Sequence, residues 1–232
     1  MTQAAWLLGR GITPLQPGLG AGPLAFERCT PVGWLFSADF VNRATCFLIE
    51  ENWIATAAHV LPNARIAAAH VVAFNYARGG DPRDRDAYAL CPDDRGYFGI
   101  NRDAQGLDVA LVRVCHRPAR AGPGVAWGTV AIAAPQEALP ASEIVLVQHP
   151  NVHDVKCYST GKIETPKEGF VGHGAASDYG TSGAPLLDTD GHWLGIHKGS
   201  SSGIQRATSA VAVFDWLRSQ FAKLPPELQG IL

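Results

Sequence analysis

From residue 33 onward the chain alternates short apolar runs with turn residues. Segments 33–40, 45–50, 53–57, 66–74, 109–114, 126–132, 143–148, 156–164, 184–187 and 193–196 are brief and rich in β-branched or aromatic side chains. Gly, Pro, Asn or Asp separates them, the punctuation expected between strands. Many short strands with regular turn signals predict an all-β barrel or sandwich. Three segments depart from this pattern. Residues 1–26 are rich in Gly and Pro and read as an irregular arm. Residues 78–103 gather charges of both signs and read as a solvated loop. Val213, Phe214, Leu217 and Phe221 recur at helical spacing, which predicts an amphipathic helix covering the core, stopped by Pro225-Pro226.

Composition narrows the class. A chain of 232 residues suggests one large domain or two small halves. Hydrophobic residues at 47% exclude general disorder, and the 25 Gly and 16 Pro suit short strands better than long helices. The net charge of −2 leaves no basic excess to hold a phosphate backbone, so nucleic acid is not expected as a partner. The weakly charged stretch 121–136 is too short and too interrupted by Gly and Pro to span a bilayer, so no membrane partner is expected either. The apolar patch Ala4-Ala5-Trp6-Leu7-Leu8 has no basic residue before it and is cut by Arg10, unlike a secretory leader. The five cysteines, Cys29, Cys46, Cys91, Cys115 and Cys157, form no CxxC pair. Their odd number makes free thiols in a reducing compartment the simplest reading, and a cytoplasmic location the expectation.

Three segments carry candidate chemistry. In Trp53-Ile54-Ala55-Thr56-Ala57-Ala58-His59-Val60 an apolar strand runs through small residues into a histidine, which can then be aimed from a fixed turn. In Gly106-Leu107-Asp108-Val109-Ala110-Leu111-Val112 an aspartate stands at the mouth of a strongly apolar strand. In Gly180-Thr181-Ser182-Gly183-Ala184-Pro185 glycines flank a serine, permitting a tight turn. Each alone is common. Together, in the order His, Asp, Ser, they match a requirement of nucleophilic catalysis: the serine needs a base, and the base needs an orienting carboxylate.

With these motifs (TAAHV, LDVALV and GTSGAP) the sequence resembles the trypsin-like, chymotrypsin-fold serine peptidases over residues 34–221. Val60 after the histidine, Phe47-Leu48-Ile49 and Gly195-Ile196-His197 are most similar to the compact bacterial branch that includes the glutamyl endopeptidases. The resemblance implies an all-β fold of two six-stranded antiparallel β-barrels with a C-terminal α-helix. Residues 1–26 form the arm, 27–120 the first barrel, and 121–232 the second barrel with its helix.

The same resemblance implies a serine endopeptidase. Its nucleophile is Ser182, its base His59, its orienting carboxylate Asp108, and its oxyanion hole the N–H groups of Gly180 and Ser182. A non-catalytic binding or regulatory module on the same fold is the alternative, and an esterase with the same triad a lesser one. Protein or peptide is the expected substrate, with no cofactor.

Substrate preference reads less directly. Ala176 stands where trypsin has an acidic residue, so a simple preference for Arg or Lys is unsupported. Ser177 and His197 stand where glutamyl endopeptidases bind an acidic side chain. Thr181 replaces the Asp that pairs with a newly cut N-terminus in zymogen-activated members, so the site is expected to be pre-formed or restrained by a regulatory partner protein. Cys46, where the branch usually has glycine, reads as a buried free thiol. His149, His153 and Cys157 are spaced four apart, but they fall on a strand and a Pro-Asn turn, and no metal is expected. His173 reads as an exposed residue at the pocket rim.

Overall fold

The computed structural model describes residues 10–16, 18–74, 87–93, 95–102, 105–116, 121–133, 135–150, 155–167 and 169–232. Its strands build two antiparallel sheets. Strand β1 (Thr13–Pro14) belongs to the second sheet. The first sheet holds β2 (Val32–Ser37), β3 (Arg43–Glu50), β4 (Trp53–Thr56), β5 (His70–Ala73), β6 (Ala87–Ala89), β7 (Tyr97–Arg102) and β8 (Leu107–Arg113). The second is completed by β9 (Glu143–Gln148), β10 (Cys157–Lys167), β11 (Phe170–His173), β12 (Pro185–Leu187), β13 (Trp193–Ser201) and β14 (Ile204–Ser209).

Packing explains why these strands read as continuous apolar runs. In β3, Cys46 and Leu48 enter the core of the first sheet with Leu35, Ile54 and Val112. The alternate residues Phe47 and Ile49 join a second core with Trp53, Val109, Leu111, Val145, Val147, Trp193 and Ile196, which lies between the two sheets. Strand β9 divides the same way: Ile144 and Leu146 fill the second barrel, while Val145 and Val147 face the first sheet. Successive side chains point to opposite faces, so a strand buried on both faces loses its polar alternation. Full burial of each such side chain contributes roughly 1.5–3 kcal/mol.

The two sheets close differently. In the second, β9 pairs with both β10 and β12, which completes a six-stranded barrel in the order β10-β11-β14-β13-β12-β9. The arm adds β1 to the free edge of β10, with Thr13 opposite Tyr158 and Pro14 opposite Cys157. The first sheet is a curled half-barrel in the order β6-β5-β2-β3-β4-β8-β7, and no strand ladder joins its ends among the described residues. A bridge between Leu90 and Val114 ties the end of β6 to the end of β8. Next to it Cys91 and Cys115 form a disulfide, their Cα atoms 5.0 Å apart. This corrects the expectation of five free thiols. The cysteines are distant in sequence, but β6 and β8 end side by side. Cys29, Cys46 and Cys157 are free and buried.

Some predicted elements shift. Segment 126–132 is no strand. Pro123 opens a short helix, preceded along the chain by α1 (Phe26–Cys29) and α2 (Ala64–Ala67) and therefore labelled α3 (Pro123–Trp127). Proline at a first helical turn loses no needed N–H. Segment 66–74 begins in α2, because the Asn63 side chain accepts the Ile66 N–H at 3.0 Å and starts a helical turn; the strand waits until His70. Within the charged stretch 78–103, β6 and β7 are strands, and residues 78–86, 94 and 103 lie outside the described residues. β7 is an edge strand whose residues stay largely exposed, so no buried pattern marks it. The C-terminal helix α4 (Ala210–Ser219) buries Val213 and Leu217 as expected, but it ends before the prolines. Phe221 lies exposed in a 3-10 turn, and Pro226 opens α5 (Pro226–Gln229) rather than stopping a helix.

Candidate active site

His59 and Asp108 both come from the first sheet. β4 and β8 are paired, with Thr56 opposite Ala110. The turn after β4 and the start of β8 therefore meet, and the two side chains face each other, while Thr208 of β14 in the second barrel donates to Asp108 O at 3.4 Å. Asp108 Oδ2 lies 2.6 Å from His59 Nδ1, and Asp108 Oδ1 accepts the His59 backbone N–H at 2.9 Å. Both carboxylate oxygens are thus committed to one histidine. Asp108 is buried, while 39% of the His59 side chain remains exposed. A carboxylate accepting the Nδ1 proton leaves Nε2 with a lone pair on the open side, the tautomer a general base requires.

Ser182 lies on the turn between β11 and β12. Gly180 and Gly183 take φ of +89° and +88°, a region that disfavours other residues. A Cβ on Gly183 would also collide with Thr45 O and Thr56 Oγ1. The turn is fastened to the first sheet by Thr45. Its N–H donates to Ser182 O at 2.9 Å, and its Oγ1 donates to Gly180 O at 2.8 Å. Thr56 Oγ1 in turn donates to Thr45 O at 2.8 Å. With both carbonyls held from behind, the N–H groups of Gly180 and Ser182 donate to no described group and stay available for a ligand oxygen. Among the described residues no hydrogen bond joins Ser182 Oγ to the His59 ring. Such bonds often tighten only on substrate binding.

The two residues expected in the substrate pocket are both engaged. Ser177 Oγ donates to Gln205 Oε1 at 2.7 Å. His197 is buried on β13, its Nδ1 3.2 Å from His173 Nε2. His173 is fully buried rather than exposed at a rim, because β11 packs inside the barrel wall across from Gln205 on β14. Burial, reinforced by the neighbouring His173 and His59, holds His197 well below the usual histidine range, and burial alone lowers His173 to about 4. Both rings are neutral at neutral pH. His173 Nδ1 is buried without a partner. An N–H there would be an orphan donor, so the ring carries its proton on Nε2 and gives it to His197 Nδ1. His197 then holds its own proton on Nε2.

Cys46 is buried and its thiol is pushed far above the usual range by desolvation, which makes it inert. His149 is buried just past the end of β9 and Cys157 is buried at the start of β10, and His153 lies outside the described residues. Among the described residues one cluster has metal-ligating reach: Asp188, Asp190 and His192 in the β12–β13 turn. There the Asp188 carboxylate already accepts the N–H groups of Asp190 and His192 and contacts the His192 ring.

The family model of the trypsin-like peptidase domain matches residues 44–196, a span that includes His59, Asp108 and Ser182. The chain belongs to the trypsin-like peptidase family. By membership it is a serine endopeptidase, a hydrolase. Solved structures agree in fold. A Glu endopeptidase in complex with MPD has a TM-score of 0.69 at 16% identity, covering 92% of this peptidase and 96% of that chain. An inactive serine-to-alanine mutant form of Rv3671c from M. tuberculosis H37Rv has a TM-score of 0.62 at 19% identity, over 92% and 97%. The serine endoprotease from Yersinia pestis has a TM-score of 0.61 at 15% identity, over 85% and 66%. No curated protein matches the sequence. Sequence inspection missed Thr45, Thr56, Gln148 and the burial of His173. Thr45 adjoined the recognised Phe-Leu-Ile strand, and a hydroxyl in so apolar a run is the one signal that pointed to it.

Proposed function

We propose that this peptidase cleaves peptide bonds through Ser182, His59 and Asp108 by way of an acyl-enzyme. One observation carries the reading: Asp108 spends both oxygens on His59, fixing the base, while the Ser182 turn keeps two N–H groups free. Ser182 Oγ attacks the scissile carbonyl carbon and its proton passes to His59 Nε2. The carbonyl oxygen becomes an oxyanion between the Gly180 and Ser182 N–H groups. Collapse breaks the C–N bond, and the amine leaves with the proton from His59. Water then attacks the ester by the same route, restoring Ser182. Asp108 stabilises the imidazolium throughout. A fluorophosphonate probe is expected to label the wild type at Ser182 and to spare Ser182→Ala. An unlabelled wild type would point to the non-catalytic module instead.

The pocket reading follows from the same wall. An acidic side chain before the scissile bond would meet the Nε2–H of neutral His197, a donor to a carboxylate, and the Ser177 hydroxyl, which would turn its proton from Gln205 Oε1 to the incoming carboxylate. A peptide library is expected to show cleavage after Glu or Asp. Because the buried His197 ring is neutral, that preference is expected to hold from pH 6 to 8. Cleavage mainly after large apolar or basic residues would remove the assignment. A restraining partner protein belongs to this reading as well, and an empty pull-down with Ser182→Ala would remove it. The cytoplasmic expectation loses its thiol argument to the Cys91–Cys115 bond, and no compartment is proposed.

A further inference from the structure

We propose that Gln148 is a positioning residue for the oxyanion-binding turn, acting through Thr181. The inference rests on the peptidase reading above and adds how that turn is held without an ion pair. Gln148 ends β9 and is fully buried, as is Thr181. Thr181 Oγ1 donates to Gln148 Oε1 at 2.6 Å and accepts the Asp178 N–H at 3.0 Å. Gln148 Nε2 spends its two protons on Ser159 Oγ at 2.9 Å and Ala176 O at 3.0 Å. Ser159 Oγ passes its own proton to Ala176 O at 2.6 Å.

Every proton in this set is used once, and that fixes the amide orientation: reversing it would set an NH₂ against the Thr181 hydroxyl and an oxygen against a carbonyl. One amide therefore grips the loop at Ala176 and at Thr181, on either side of the segment that leads to Gly180. Thr45 grips the same turn from the opposite side, at Gly180 O and Ser182 O, and its Oγ1 accepts the N–H of His149, the residue after Gln148. Neutral hydrogen bonds buried away from water are strong locally and costly to leave unmade. They hold the turn at any pH at which the protein is folded, and they need no new N-terminus.

Removing one donor of an oxyanion hole costs about 10²–10³ in kcat, so loosening both costs less, on the order of 10- to 100-fold. Thr181→Val and Gln148→Leu, checked for folding by near-UV circular dichroism, are expected to lose that much kcat on p-nitrophenyl acetate, with KM within about twofold. Because each single variant already removes the bond between Thr181 and Gln148, the double variant is expected to fall within about threefold of the worse single one. Additive losses would overturn the proposal, as would near-wild-type kcat in either single variant. Thr181→Ser and Thr181→Cys differ only in oxygen against sulfur and keep the question open to test if the apolar variants do not fold. Serine is expected within about threefold of wild type and cysteine roughly tenfold below it, and equal rates would overturn the proposal. If the wild type and Ser182→Ala are equally inert to the fluorophosphonate, the peptidase reading has failed. If only Ser182→Ala is inert and the Thr181 and Gln148 variants match wild type, the positioning role alone has failed.

Discussion

The first sheet and the second barrel solve the same closure problem with different means, and they make different contributions to the site. The second closes on itself through the β9–β10 ladder, and its strands need no covalent help. The first has one bridge and the Cys91–Cys115 bond to tie the end of β6 to the end of β8 among the described residues. Yet the first sheet assembles the whole base pair, His59 with Asp108, from two adjoining strands. The barrel supplies Ser182, the proposed nucleophile, on a turn that neither half holds alone: Thr45 comes from the first, Gln148 from the second. The His59–Asp108 pair is thus a property of one ladder, while the placing of the Ser182 turn beside it is a property of the seam.

That division can be broken at several strengths. The largest effect is expected where the halves act as one unit. Ser182→Ala and His59→Ala should each lower kcat by on the order of 10⁴-fold or more, and the double variant should fall no further. Steady-state hydrolysis of an activated ester checks this. Independent losses that multiply would show that the two halves do not share a reaction.

Next comes the covalent clamp. Replacing Cys91 and Cys115 by alanine should cost about 2–4 kcal/mol of stability, read by urea denaturation. Thiol titration of the native protein under denaturing, non-reducing conditions should find the three free cysteines, not five. A full count of five would return the first sheet to an unclamped state.

The seam itself contains a buried cation, and its cost is comparable. Lys156, just before β10, donates to Cys29 O at 2.9 Å and Thr30 O at 3.3 Å, which stand at the start of the first half. Burial lowers its pKa from 10.5 to about 8. Between those values the unfolded chain binds the proton and the folded one does not, so this group's contribution to stability rises as pH goes from 8 to 10.5. The full cost, on the order of 3 kcal/mol, applies below pH 8. The buried thiols act in the opposite sense: Cys29, raised to about 11, contributes stability that fades as pH climbs above 9. Comparing the wild type with Lys156→Met separates the two. The variant's advantage is expected to shrink by that amount across the window, and a constant difference would show that Lys156 titrates normally.

The smallest expected effect is at the arm. Arg10 Nη1 lies 3.4 Å from Asp178 Oδ2, beside the turn, and its side chain is half exposed. An exposed ion pair of this kind contributes about 0.2–1 kcal/mol. Arg10→Ala should change kcat by less than about threefold and lose even that difference in high salt. A larger loss would make the arm a third support of the site.

Much of this was legible before any coordinate. The runs that became β3, β4, β8 and β9 were visible because strands buried on both faces concentrate apolar residues into short stretches. The segments around His59, Asp108 and Ser182 were visible because a turn that aims a side chain needs Ala and Gly at fixed neighbours, a short-range demand written in consecutive residues. Edge strand β7 and the mixed pattern of β14 were invisible for the converse reason, since half-exposed strands have little apolar signal to show.

Only the tertiary structure decided the partners. Cys91 meets Cys115 because β6 and β8 end together. His173 meets His197, and Thr45 reaches Gly180, across strands distant in the chain. Gln148 looked like the polar end of an apolar strand, and at a strand end a polar residue is what solvent would also select. Local pattern reports what a residue's immediate backbone tolerates. Which hydrogen bond a buried side chain makes is set by the segment that folding brings against it, and no spacing within the strand encodes that segment.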